Sequence, residues 1–221
     1  MSSQTLVLLG DSIFDNANYV PGEKPVVKQL QETFDPEITL VELAAVDGAV
    51  TRDVHEHQLP NLTADPDLIV LSSGGNDALR HIETLYEDIK RTVPETLKIF
   101  HGIRETFRRD YATLLDALSG LERPTAVCTI YNPDFRRDAT ITHLQVLAEA
   151  ALSFFNDVIV QEALNRSFDV LDLREICTKS EDFANPIEPS SRGGEKIVSR
   201  IYRWVASLDH SPSPNEVAGG C

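Results

Sequence analysis

Three small polar clusters carry the residues best suited to chemistry: Gly10-Asp11-Ser12, Asp47-Gly48 and Gly74-Gly75-Asn76-Asp77. A serine hydroxyl becomes a nucleophile when a base takes its proton, and acyl transfer also needs preorganised donors facing the oxygen that turns negative. Ser12 can supply the hydroxyl, and the Gly48 N–H and the Asn76 amide can supply donors. Taken singly, each has a plainer reading. Gly-Asp-Ser is ordinary turn or cap chemistry, Gly48 suits a turn with positive φ, and Asn76 could cap a helix starting at Ala78.

The elements around these clusters decide between the readings. Leu6 to Leu9 is an apolar run that stops at Gly10, as a buried strand does. Val26, Val27, Leu30 and Phe34 have helical spacing, and Ile38 to Ala45 follows as a second strand ending just before Gly48. Leu68 to Leu71 is a third strand, with Asn76 in the turn at its carboxyl end. Ala78 to Tyr86 predicts a helix broken around Val93-Pro94. A long amphipathic helix then runs from Leu97 to Leu118. Thr125 to Ile130 reads as strand, Thr140 to Asn165 as helix, Phe168 to Leu173 as strand, and a last helix carries Ile197, Ile201, Trp204 and Val205. Strands alternating with helices predict a mostly parallel five-stranded sheet covered on both faces, with the loops at the strands' carboxyl ends forming one reactive rim. That rim gathers Ser12, Gly48 and Asn76.

Composition narrows the class. Twenty Lys and Arg against 35 Asp and Glu give a net charge of -15, which repels nucleic acid and anionic membrane surfaces, so no nucleic-acid partner is implied. Arg104, Arg108 and Arg109 form the one dense basic cluster, diluted by neighbouring acids. No apolar run approaches the ~20 residues of a membrane helix, and the first run lacks the flanks of a secretory signal. Cys128, Cys177 and Cys221 are far apart and lack metal-ligand spacing, so a reduced, cytoplasmic protein is the expectation. Residues 1–208 read as one domain, and 209–221, polar with Gly and Pro, as a disordered tail.

In their order and spacing, Gly10-Asp11-Ser12-Ile13, Gly48 and Gly74-Gly75-Asn76-Asp77 resemble the first three sequence blocks of the SGNH, or GDSL, hydrolases. The resemblance implies a three-layer α/β/α sandwich of flavodoxin-like type that hydrolyses esters of lipids, acylated sugars or small molecules without a cofactor. It also implies Ser12 as nucleophile, with its own N–H, the Gly48 N–H and the Asn76 side chain as the oxyanion hole.

The fourth block departs from the family. Where Asp-x-x-His-Pro is usual, this chain has Asn185-Pro186-Ile187-Glu188-Pro189, with Gly193 following. Glu188 stands in the histidine position and Asn185 in the aspartate position. A carboxylate with a reference pKa of about 4.3 is a weak base for serine unless burial raises it toward 6–7. A Ser12–Glu188 dyad that is slow, or tuned to activated esters and mildly acidic pH, is therefore expected. His81, about one helical turn beyond Asp77, is the competing base. His55 and His57 lack a third metal ligand at telling spacing and read as loop residues. His101, His143 and His210 read as surface, and Leu85 to Phe100 as either a flap over the site or a helix break. Two other functions fit the same residues: a catalytically impaired protein that binds an acylated or carbohydrate ligand, and an acyltransferase.

Overall fold

A computed structural model of the chain describes residues 4–86 and 91–208. Its elements run β1 (Gln4–Gly10), α1 (Val26–Thr33), β2 (Thr39–Leu43), α2 (Thr51–Asp53), β3 (Leu68–Ser72), α3 (Gly75–Leu79), α4 (Glu83–Tyr86), α5 (Val93–Ser119), β4 (Thr125–Cys128), α6 (Gln145–Leu164), β5 (Asp169–Leu171) and α7 (Ser191–Leu208). The five strands are all parallel, in the order β2-β1-β3-β4-β5. This is the flavodoxin-like order, in which the chain reverses direction across the sheet at β1 and β3.

Side-chain alternation along the strands builds two cores. Leu6 and Leu8 of β1, with Leu68 and Val70 of β3, face α1 and α7 and pack on Val26, Leu30, Ile197, Ile201 and Trp204. Val7 and Leu9, with Ile69 and Leu71, face α5 and α6 and pack on Phe107, Tyr111, Leu114, Phe155, Val158 and Ile159. A strand buried on both faces must be apolar at successive positions, which is why β1 and β3 read as uninterrupted apolar runs. The result is the expected α/β/α sandwich. Among the described residues no helix is long and apolar enough to cross a membrane.

Several boundaries differ from expectation: the strands expected at 38–45, 125–130 and 168–173 are shorter, and the helix expected over 78–86 is the two pieces α3 and α4. Val93 and Pro94 open α5 instead of breaking a helix. Proline is well suited to a first turn because its missing N–H has no partner there, and Thr92 and Glu95 close that end as a reciprocal cap. The helix holding Asn76 begins at Gly75, not Ala78, so Asn76 lies in its first turn and does not cap it. The predicted helix 140–165 opens with a 3-10 turn at Thr142–Leu144 before α6 proper. The expected tail, with His210 and Cys221, lies outside the described residues, as do residues 87–90 of the segment read as a flap or a break.

Candidate active site

Gly10 ends β1 with φ 132°, and a Cβ built on it would sit 1.7 Å from Ser72 O on the neighbouring strand. Only glycine permits that approach. The chain then turns at once, with Phe14 N and Asp15 N donating back to Asp11 O, and Ser12 emerges over the carboxyl ends of β1 and β3. Gln58 clamps the strand end: its Nε2 donates to Gly10 O at 2.7 Å and its Oε1 accepts from Gly10 N at 2.8 Å.

Ser12 Oγ donates to Glu188 Oε1 at 3.1 Å, with both residues buried. Glu188 is carried by the loop before α7. Asn185 Oδ1 accepts from the N–H groups of Ile187 and Glu188, each at 2.9 Å. Asn185 therefore orients the backbone of the loop and does not touch the Glu188 carboxyl. Across the loop, Asn16 Nδ2 donates to Pro189 O and Tyr131 Oη donates to Ile187 O. The other carboxyl oxygen, Glu188 Oε2, is buried with no hydrogen-bond partner.

An unpaired oxygen in a buried carboxyl penalises the charged form. Burial accordingly raises Glu188 to about 7, against the Ser12 hydrogen bond, which favours the carboxylate, and with a further rise from the charge of Asp47. Asp11 is also raised to about 7, first by burial; the Ile13 N–H opposes this and the Glu188 charge adds to it. The base that sequence alone expects to work in mildly acidic solution is thus moved to neutrality by its surroundings.

Gly48 adopts φ 81° in an exposed turn after β2, and among the described residues its N–H makes no hydrogen bond. Asn76 Nδ2 donates one hydrogen to Ala49 O at 3.0 Å, which leaves the second free and ties α3 to the Gly48 loop. Behind them Asp77 Oδ2 accepts from Thr51 N and Thr51 Oγ1, both at 2.9 Å. Ser12, Asn76 and Glu188 line one cleft holding about 990 Å³ of empty space out to its open mouth. Its floor is polar, and Ile82, Leu85, Phe100, Ile103, Leu152 and Phe155 make one wall apolar.

The model of the GDSL-like lipase/acylhydrolase family matches residues 8–195, which span every residue of this site. The chain belongs to that family. As a GDSL-like acylhydrolase it is an ester-bond hydrolase. Solved structures share the fold at low identity. The psychrotrophic esterase EstA from Pseudoalteromonas sp. is 17% identical with a TM-score of 0.68, covering 95% of this chain and 100% of that one. An extracellular lipase from Streptomyces rimosus is 18% identical with a TM-score of 0.65, covering 91% and 99%. Phospholipase A1 from Streptomyces albidoflavus NA297 is 15% identical with a TM-score of 0.66, also covering 91% and 99%. A search of curated protein sequences found no significant match.

The other sequence candidates fall elsewhere in this acylhydrolase. His81 is exposed and lines the cleft, but the Ser12 hydroxyl points to Glu188. His55 and His57 lie on a π-helical turn, Val54–Gln58, and not in an open loop. Cys128 and Cys177 are free, buried core residues. Arg104 is paired with Glu105 and Asp157, and Arg108 with Glu105 and Glu162, so two of the three arginines of the basic cluster are locally neutralised. Sequence reasoning missed Asn16 and Gln58. Asn16 sits four residues beyond Ser12 and, besides its bond to Pro189, accepts from Val26 N at 2.9 Å. A fully buried asparagine capping a helix ten residues away gives only a composition signal, a polar side chain in a turn.

Proposed function

We propose that the chain hydrolyses neutral carboxylic esters, with Ser12 as nucleophile and Glu188 as general base and then general acid. The carrying observation is the buried 3.1 Å hydrogen bond from Ser12 Oγ to Glu188 Oε1 on the floor of an apolar-walled cleft. In the first half-reaction Ser12 Oγ attacks the ester carbonyl carbon as its proton passes to Glu188. The carbonyl oxygen becomes an oxyanion, held by the Ser12 and Gly48 N–H groups and the free hydrogen of Asn76 Nδ2. Collapse expels the alcohol, which leaves with the proton from Glu188, and water repeats the sequence on the acyl-serine.

The raised pKa of Glu188 suits this exchange, since a base near neutrality both accepts and returns a proton readily. Among the described residues no Lys or Arg lines the cleft, whereas Asp11 and Glu188 do. A substrate anion would therefore meet like charge from Asp11 and Glu188, and the apolar wall favours a hydrocarbon acyl group. Free, buried Cys128 and Cys177 fit a reducing, cytoplasmic setting. Hydrolysis of p-nitrophenyl esters tests the proposal. Activity should rise through pH 7 and vanish in Ser12→Ala, and Glu188→Gln should remove the acid limb and most of the rate. Undiminished hydrolysis by Glu188→Gln would move the base elsewhere. Folded protein inert to these esters and to a serine-directed organophosphorus probe would instead support the ligand-binding alternative.

A further inference from the structure

The loop between β2 and α2 is pinned from two sides. Inside, Asn76 holds Ala49 O and Asp77 holds Thr51. Outside, Asp15 Oδ2 accepts from Asp47 N at 3.0 Å, and Tyr19 Oη donates to the Asp47 carboxylate, lying 2.9 and 3.1 Å from its two oxygens. Gly48 lies between the two sets of contacts, in a turn closed by Ala49 N donating to Val46 O at 3.1 Å. We propose that Tyr19 and Asp47 form a latch: it fixes the Gly48 N–H for the oxyanion and holds the Asp47 carboxylate as the negative charge facing Glu188. This rests on the assignment of Ser12, Gly48 and Glu188 given above.

Five titratable or hydroxyl groups face Glu188. Ser12 and Asp11 come from the end of β1, Tyr19 from the turn before α1, Asp47 from the loop after β2, and Tyr131 from the loop after β4. Asp11 is fully buried and raised to about 7, first by burial and in part by the Glu188 charge, so the two carboxyls titrate over the same range. Asp47 is only half-buried and is the acid whose charge opposes ionisation of Glu188. Tyr19 is pushed up to about 12, first by burial and then by its bond to Asp47, so its phenol remains a donor throughout the working range. In the usual arrangement a carboxylate assists a histidine by stabilising its cation. Beside a glutamate base the same charge does the opposite work, keeping the base strong by making its proton harder to lose.

Two conservative variants separate the charge from the positioning. Asp47→Asn retains an acceptor for Tyr19 but removes the charge, and should move the acid limb of kcat/KM to lower pH by about half a unit. Tyr19→Phe retains the charge but removes the side-chain hold on the Asp47 carboxylate, and should lower kcat roughly fivefold with little change in KM, per active site titrated with the organophosphorus probe. The limb position is independent of the amount of folded enzyme, and active-site titration corrects kcat for it. An Asp47→Asn limb that coincides with wild type, or a Tyr19→Phe enzyme that turns over at the wild-type kcat, overturns the latch. Failure of the parent assignment shows separately, as a wild-type acid limb that survives in Glu188→Gln.

Discussion

Replacing Glu188 by Gln should stabilise the folded protein while disabling it, and the gain should grow with pH. In the native state Glu188 titrates at about 7, against 4.5 for an unperturbed side chain. A carboxyl whose folded pKa is raised contributes stability below its unfolded pKa, and that contribution is lost as pH rises through the folded value. The difference of about 2.5 units, at 1.36 kcal/mol per unit, sets a ceiling of about 3 kcal/mol on the cost of ionising Glu188 in place by pH 8. At pH 5 the same arithmetic leaves less than about 1 kcal/mol. Asp11 acts in the same direction, because part of its rise comes from the Glu188 charge and disappears in the variant. Glutamine brings an N–H of its own to the site of the unpaired Oε2. The absolute stability difference therefore mixes two effects, and its pH dependence isolates one. Urea unfolding of both proteins from pH 5 to 8 is the assay. The variant should gain on wild type by about 2 kcal/mol across that interval, or several degrees in Tm. Parallel stability curves would refute the claim that burial, paid for in native-state stability, is what makes Glu188 a base.

Asn76→Ala should lower kcat by about a hundredfold or more, with KM little changed, since an oxyanion donor acts on the transition state; steady-state kinetics on a p-nitrophenyl ester checks this. A fall near tenfold would mean that Asn76 acts mainly through its bond to Ala49 O. Along a series of p-nitrophenyl esters from acetate to decanoate, kcat/KM should rise up to about fourfold per methylene until the apolar wall is covered. Ile103→Asp, at that wall, should flatten the series by weakening the longer esters and sparing acetate. A steady preference for acetate in wild type would remove the acyl role assigned to the wall.

The rim was readable because parallel topology does much of the assembly. Once Leu6–Leu9 and Leu68–Leu71 are recognised as buried strands, both must end at the same edge. Ser12 and Asn76 then become neighbours although 64 positions separate them. That Glu188 would lie beside the serine was also readable, since Pro189 and Gly193 suggest the register of that loop and Ser12 Oγ does donate to Glu188 Oε1. What the linear order could not supply is the state of that carboxyl. Glu188 and Asp11 titrate near neutrality only because groups from several distant segments exclude water from them, and desolvation belongs to the assembled volume. The same holds for the polar contacts that span the chain: Gln58 on Gly10, Asn16 on Pro189, and Tyr19 on Asp47. Residue type fixed the chemistry on offer and strand order fixed where it would meet. Packing alone decided that Ser12 gives its hydrogen bond to a buried glutamate with one oxygen unpaired, because burial and partners are properties of neighbours in space.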